Sequence, residues 1–159
     1  MNITVIAVGK MKETQMVKVL QEYAKRLGRY CKLDITEVPD VKAPESLSLK
    51  EMEQVKKTEG EGIIKNIKDG TYVIALDIRG KMMSSEEFAD KINQLGIQGF
   101  GKIAFIIGGS LGLSEEVLKR ADLRLSFSPM TFPHQLMRII LLEQIYRAFK
   151  IISGEPYHK

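Results

Sequence analysis

The sequence predicts an α/β fold built on a mainly parallel sheet with helices on both faces. Three observations lead there. Short β-branched or apolar runs alternate with longer runs of helical period along the whole chain. One short run, residues 102–107, is almost continuously apolar, as strands covered on both faces are. Glycine, proline or polar turn residues mark nearly every junction. The outcome is about five strands separated by about five helices, and right-handed crossovers place those helices on both faces.

The elements follow in order. Residues 3–8 form a β-branched run stopped by Gly9. Over residues 13–27, Met16, Val19, Leu20, Tyr23, Ala24 and Leu27 recur at helical spacing, and Gly28 ends the run. Residues 33–38 read as a second strand that Pro39 closes, and residues 39–47 as a loop with two prolines. Ser48 and Glu51 make a capping box for a helix bearing Met52, Val55, Ile63, Ile64 and Ile67. Gly60 and Gly62 predict a kink or break in its middle, and the charged stretch Lys50–Glu61 reads as a solvated face.

Residues 72–76 form an apolar strand and 77–83 a loop. Ser84 and Glu87 cap a helix carrying Phe88, Ala89, Ile92 and Leu95. After the strand 102–107 come a glycine-rich loop at 108–112, a helix begun by Ser114, and a last short strand at 123–127. A loop at 128–132 leads into a long final helix starting at Pro133.

The chain of 159 residues reads as one domain, 1–159, large enough to bury a core without a disulfide or metal staple. The single cysteine, Cys31, excludes an intrachain disulfide and multi-cysteine metal sites. It reads as an inert small residue, and Met82 and Met83 as packing residues. His134 and His158 form no local metal pair, so no metal is expected. No signal-peptide pattern or membrane-length apolar run is visible, which predicts a cytoplasmic protein with no membrane partner. The net charge of +4 fits a phosphate-bearing partner but gives little grip on free RNA.

In open α/β sheets, ligands bind beyond the carboxyl ends of strands. Three loops qualify: 77–83, 108–112 and 128–132. The loop Gly108-Gly-Ser-Leu-Gly matches neither a dinucleotide nor a P-loop pattern. Glu115 and Glu116 already occupy the positive end of the next helix and would repel a phosphate. The loop therefore suits a neutral or cationic ligand held by backbone contact, or serves as a packing turn only.

On the final helix His134 and Arg138 share one edge, while Glu143, Arg147 and Lys150 lie nearly opposite. Both flanks between them are apolar, so something covers the second one, a homodimer partner or the rest of the monomer. By position His134 suits a structural hydrogen bond or a base beside a site. The segment Tyr157-His158-Lys159 has the position of a frayed tail.

No nucleophile elbow, paired-carboxylate site, zincin motif or P-loop is present in the sequence. Chemistry that needs few charged groups fits best. Methyl transfer from a sulfonium is such a reaction, because its thioether leaving group is neutral. A non-catalytic RNA-binding module and a nucleotide-binding enzyme with another acceptor are the competing readings.

Five segments occur in order: Ile-Ala-Val-Gly-Lys near the start, Leu-Asp-Ile-Arg-Gly-Lys, Phe-Ile-Ile-Gly-Gly-Ser-Leu-Gly-Leu, Ser-Phe-Ser-Pro-Met-Thr-Phe-Pro-His, and the closing Tyr-Arg-Ala-Phe-Lys with Pro-Tyr-His-Lys. Together they resemble the ribosomal RNA large subunit methyltransferase H family over essentially the whole chain. The resemblance implies a SPOUT fold with a C-terminal trefoil knot and a homodimer. It also implies methyl transfer from S-adenosylmethionine to N3 of a pseudouridine in 23S rRNA of the assembled ribosome.

By the same resemblance, Leu76, Gly108, Phe127, Ser128, Pro129, Met130, Thr131 and Phe132 would line the cofactor pocket. His134 would act as base or orienting group, and Arg138 would hold a phosphate or a base edge. Tyr157, His158 and Lys159 would contact the RNA acceptor, with contact across the dimer as one arrangement.

Overall fold

The computed structural model describes residues 1–42 and 44–159. Its elements are β1 (Asn2–Val8), α1 (Thr14–Leu27), β2 (Lys32–Val38), α2 (Leu49–Lys65), β3 (Tyr72–Met82), α3 (Ser85–Ile97), β4 (Lys102–Ile107), α4 (Glu115–Arg120), β5 (Leu123–Ser126) and α5 (His134–Ile152). The strands form one sheet in the order β2-β1-β4-β3-β5, and every neighbouring pair is parallel.

Alternation along the strands divides the core into two layers. Ile3, Val5 and Ala7 of β1 and Ile103, Phe105 and Ile107 of β4 face one side. There they meet Leu20 and Leu27 of α1, Phe88 and Ile92 of α3, and Leu141 and Ile145 of α5. Ile6, Val8, Ala104 and Ile106 face the other side, against Ile63 of α2 and Val117 of α4. Truncating a core side chain such as Phe105 to alanine would cost about 3–5 kcal/mol.

This layering positions the site. The chain leaves β3 toward α3 on one face and leaves β4 toward α4 on the other. The two connections diverge, and a crevice opens between them at the carboxyl ends of the strands.

Three expectations are corrected. Residues 77–82, expected to lie in a loop, continue β3 to Met82. The register of β3 with β5 jumps between Leu76 and Lys81, so the strand detaches briefly and pairs again. Gly80 lets this return come close, since a Cβ there would sit 2.6 Å from the Arg124 carbonyl.

Second, α2 runs unbroken through Gly60 and Gly62. These glycines serve contact rather than a kink. A methyl on Gly60 would collide with the Ser114 hydroxyl, and one on Gly62 would sit 2.7 Å from Val38 Cγ1. The charged stretch Lys50–Glu61 is also not wholly solvated, because Glu59 is buried.

Third, the last strand stops at Ser126, and α5 begins at His134 with Pro133 as its N-cap. Both capping boxes, Ser48 with Glu51 and Ser84 with Glu87, form as expected. Of the two methionines expected to pack, Met83 packs against the core and Met82 is exposed. The expected loop 39–47 has no regular structure at 39–42 and 44–47, while Ala43 lies outside the described residues. Among the described residues no helix is long and apolar enough to cross a membrane.

Candidate active site

A cavity of about 730 Å³ occupies the crevice at the carboxyl ends of β3, β4 and β5. Leu76, Gly108, Phe127, Ser128, Met130, Thr131 and Phe132 all line it. Pro129 belongs to the same loop but is not part of the lining. His134 and Met137, from the first turn of α5, complete the wall.

Local chemistry shapes the loops. Gly109 and Gly112 pair across a tight turn, with the Gly112 N–H donating to the Gly109 carbonyl at 3.1 Å. Gly112 has φ +86°, a region that favours glycine. A Cβ on Gly108 would lie 2.9 Å from Leu113 Cδ2 and 3.0 Å from the Gly112 backbone. The bare backbone therefore both closes the turn and faces the cavity. Ser114 then caps α4, accepting from the Val117 N–H at 3.3 Å.

The loop after β5 is tied to the detached part of β3. The Ser126 hydroxyl lies 3.0 Å from the Ile78 carbonyl and 3.2 Å from the Ser128 carbonyl, sharing its proton between them. The Ser128 hydroxyl accepts from the Met130 N–H at 3.0 Å.

Arg138 does not line the cavity. Its side chain is 1% exposed. Its Nη1 donates to Glu37 Oε2 at 2.7 Å and its Nη2 to the Gly9 carbonyl at 3.2 Å, while its Nε has no partner among the described residues. The pair ties the start of α5 to the ends of β1 and β2. Burial pushes the Glu37 carboxyl up, but hydrogen bonds from Arg138 and the Met11 N–H outweigh it and leave the group below its ordinary range. His134 sits beside this anchor, with its Nε2 3.7 Å from the Cβ position of Gly9.

The C-terminal segment is docked, not frayed. Tyr157 donates to Glu143 at 3.1 Å and packs edge-on against Tyr146. His158 lies between Arg147 Nη1, 3.1 Å from its Nδ1, and Glu86, 2.6 Å from its Nε2. Burial, with Glu143 beside it, pushes the Tyr157 hydroxyl up to about 12. Glu143 and Arg147 follow Met137, the last wall residue on α5, by 6 and 10 residues, which places these contacts about 9–15 Å along the helix from the cavity wall within one chain. The structure thus brings His134 and the pocket loops together and leaves Arg138 and the tail outside the cavity.

Sequence reasoning missed Met137 on the wall, Arg79, Lys119 and Arg124 at the rim, and the buried Glu59 behind the glycine loop. Arg79 had a usable signal, since it falls in the stretch 77–83 expected beyond a strand's carboxyl end; Lys119 of α4 and Arg124 of β5 had none. Glu59 had none, being one acid in a mixed-charge helix.

A family model described as predicted SPOUT methyltransferase matches residues 1–158. The chain belongs to the SPOUT methyltransferase family. Among curated relatives, this SPOUT protein is 69% identical to ribosomal RNA large subunit methyltransferase H of Alkaliphilus oremlandii, over all of both chains. It is 60% identical to the protein of the same name from Clostridium beijerinckii, again over all of both chains.

Solved structures agree on the fold. A probable methyltransferase from Bordetella pertussis superposes with a TM-score of 0.57 at 13% identity, covering 92% of this chain and 93% of that one. A putative methylase family protein from Neisseria gonorrhoeae gives 0.56 at 14% identity, covering 99% and 86%. In this SPOUT protein the cavity lies where the extended end of β3 meets the loops after β4 and β5.

Proposed function

We propose that this methyltransferase transfers a methyl group from S-adenosylmethionine to N3 of a pseudouridine in 23S rRNA, acting on the assembled ribosome. In this reading it works in the cytoplasm as a homodimer of single 1–159 domains. One observation carries the reading: the extended end of β3 and the loops after β4 and β5 meet around one cavity, with His134 on its wall.

The residues present fit the donor. The volume lies within the usual range for small-molecule sites, roughly 300–1,000 Å³. Leu76, Phe127 and Phe132 supply apolar walls for an adenine ring, and Gly108 presents bare backbone for hydrogen bonds. The acidic start of α4 suits a cation and opposes free phosphate. S-adenosylmethionine supplies an activated methyl group on a sulfonium. The chain aligns donor and acceptor in line and excludes water. His134 takes or orients the N3 proton of the acceptor base.

A second copy supplies what one chain holds too far away. The separation between the tail and the cavity supports contact of Tyr157, His158 and Lys159 with the acceptor from the partner protomer. Leu136, Met130 and Phe132, exposed apolar side chains near the cavity mouth, support a dimer face there. The trefoil knot belongs to the same reading, supported by the close packing of residues 77–82 on β5. With a net charge of +4 the protein reads ribosome shape rather than naked RNA.

The test is transfer of labelled methyl to ribosomes from cells lacking this protein, run beside protein-free rRNA. Label on 23S rRNA in the ribosome sample alone is the expected result. Equal labelling of free rRNA would refute the shape reading. No label in either sample would refute the substrate assignment.

A further inference from the structure

The glycine loop has two sides. One faces the cavity. The other faces Glu59 of α2, which is only 5% exposed. A Cβ on Gly109 would lie 3.1 and 3.3 Å from the two Glu59 carboxylate oxygens, and Gly109 itself lines the cavity. Among the described residues the carboxylate accepts one hydrogen bond, from the Val41 N–H at 3.0 Å. Among the described residues no lysine or arginine pairs with it. The adjoining Gly60 is wedged against Ser114 and Val117, which fixes this turn of α2 beneath the loop.

We infer that Glu59 makes the cavity selective for ligand charge: its buried carboxylate, one backbone thickness behind Gly109, favours the sulfonium donor over the neutral thioether product. The inference rests on the reading that this cavity holds S-adenosylmethionine. A buried carboxylate with one hydrogen bond and no counterion is costly. A cation in the cavity offsets that cost across a thin, poorly polarisable layer. Burial, with Asp40 nearby, holds the Glu59 carboxyl above its ordinary range against the pull of the Val41 N–H and of His134.

The rim charges do not cancel the effect. Lys56 is paired with Glu53 at 2.7 Å, and Arg79, Lys119 and Arg124 are exposed to screening solvent.

The reaction then changes the balance. The methyl–sulfur bond breaks with its electron pair left on sulfur, the methyl carbon bonds to the acceptor nitrogen, and the nitrogen's proton leaves to a base. The ligand beside Glu59 becomes neutral. The attraction that favoured donor binding no longer retains the product.

The probes are S-adenosylmethionine, its neutral product S-adenosylhomocysteine, and sinefungin, which carries an ammonium near the sulfur position. Their affinities are measured by calorimetry on the wild-type protein, Glu59→Gln and Glu59→Asp. The wild type should bind the two cationic ligands more tightly than S-adenosylhomocysteine. Glu59→Gln, isosteric and still able to accept from Val41, should weaken both cations roughly tenfold. It should leave S-adenosylhomocysteine within about twofold. Glu59→Asp, which keeps the charge, should keep the preference even where packing weakens all three.

Equal weakening of all three by Glu59→Gln assigns a purely structural role and overturns the inference. So does an unchanged preference, or a wild type that binds the neutral product as tightly as the donor, a result that needs no variant to fold. A wild type that binds none of the three fails the cavity reading itself, and the inference with it.

Discussion

Arg138 on α5 and Glu37 on β2, 101 residues apart in sequence, form an ion pair at 2.7 Å in which the guanidinium is 1% exposed. The same guanidinium reaches the Gly9 carbonyl, and a Cβ built on Gly9 would lie 3.7 Å from His134 Nε2. A residue that the sequence placed beside a candidate base thus holds that base's helix against the sheet. Glu37→Gln should cost about 1–2 kcal/mol in urea denaturation, less than a fully buried pair because Glu37 is a third exposed. Arg138→Lys loses the forked geometry and should lower the turnover number more than donor affinity. Unchanged turnover in a folded Arg138→Lys protein would sink the anchoring role.

Acid stability follows from the same pair. The folded Glu37 carboxyl titrates below its ordinary value of 4.5. A depressed carboxyl contributes stability above its unfolded value and loses it as pH falls through the folded one. The stability difference between wild type and Glu37→Gln should therefore be constant near neutrality and shrink below about pH 4.5. Denaturation midpoints of both proteins from pH 7 to pH 3 provide the check, and a difference that grows on acidification would contradict the assignment.

Gly108→Ala places a methyl 2.9 Å from Leu113 and 3.0 Å from the Gly112 backbone. The loop must shift, and the cavity with it. Donor affinity measured by calorimetry should fall by more than about tenfold, with a stability loss of about 1–3 kcal/mol from overpacking. Full affinity in the variant would remove the glycine loop from the proposed site.

His134→Gln keeps a polar side chain on the cavity wall but no base. Methyl transfer to ribosomes should slow by roughly 10²–10⁴-fold, the usual contribution of a positioned acid or base. Donor affinity should change little. A variant with wild-type turnover would mean that the N3 proton leaves by another route.

Deletion of residues 157–159 tests the tail. The segment holds on to Glu86 of α3 and to Glu143 and Arg147, about 9–15 Å along α5 from the cavity wall at Met137. Donor binding should survive the deletion and methyl transfer should not. Mixing His134→Gln chains with deleted chains should restore about half of the wild-type activity in the mixed dimers, each holding one intact composite site. No restoration in verified mixed dimers would place the tail's action within its own chain.

Periodicity and capping made most of the fold legible. The alternation of apolar runs reports the two-fold and 3.6-fold repeats of strand and helix, which are local properties. The run Ile103 to Ile107 was readable as buried on both faces because no polar residue interrupts it. The three stretches around the pocket, two of them loops and one the end of β3, were legible because sites in parallel sheets gather at carboxyl ends, a rule that needs only element order. The continuation of β3 past Asp77 was not legible. Its second pairing with β5 depends on Gly80 meeting Arg124, a contact between residues far apart in sequence. Gly60 and Gly62 misled for the same reason: local propensity reads glycine as a helix breaker, while packing against Ser114 and Val38 uses it for close approach.

The sequence by itself determined the fold class, the order of the elements, the helix caps and the loops around the cavity, since each follows from neighbours within a few residues. Its motifs also pointed to the family. Only the tertiary structure decided which charged side chains are buried and what they face. It set Arg138 against Glu37 and Gly9, placed Glu59 behind Gly109, and folded the tail onto α5. Burial and ion pairing depend on distances across the fold, and a charged residue reads alike in sequence whether it ends in solvent or beneath a loop.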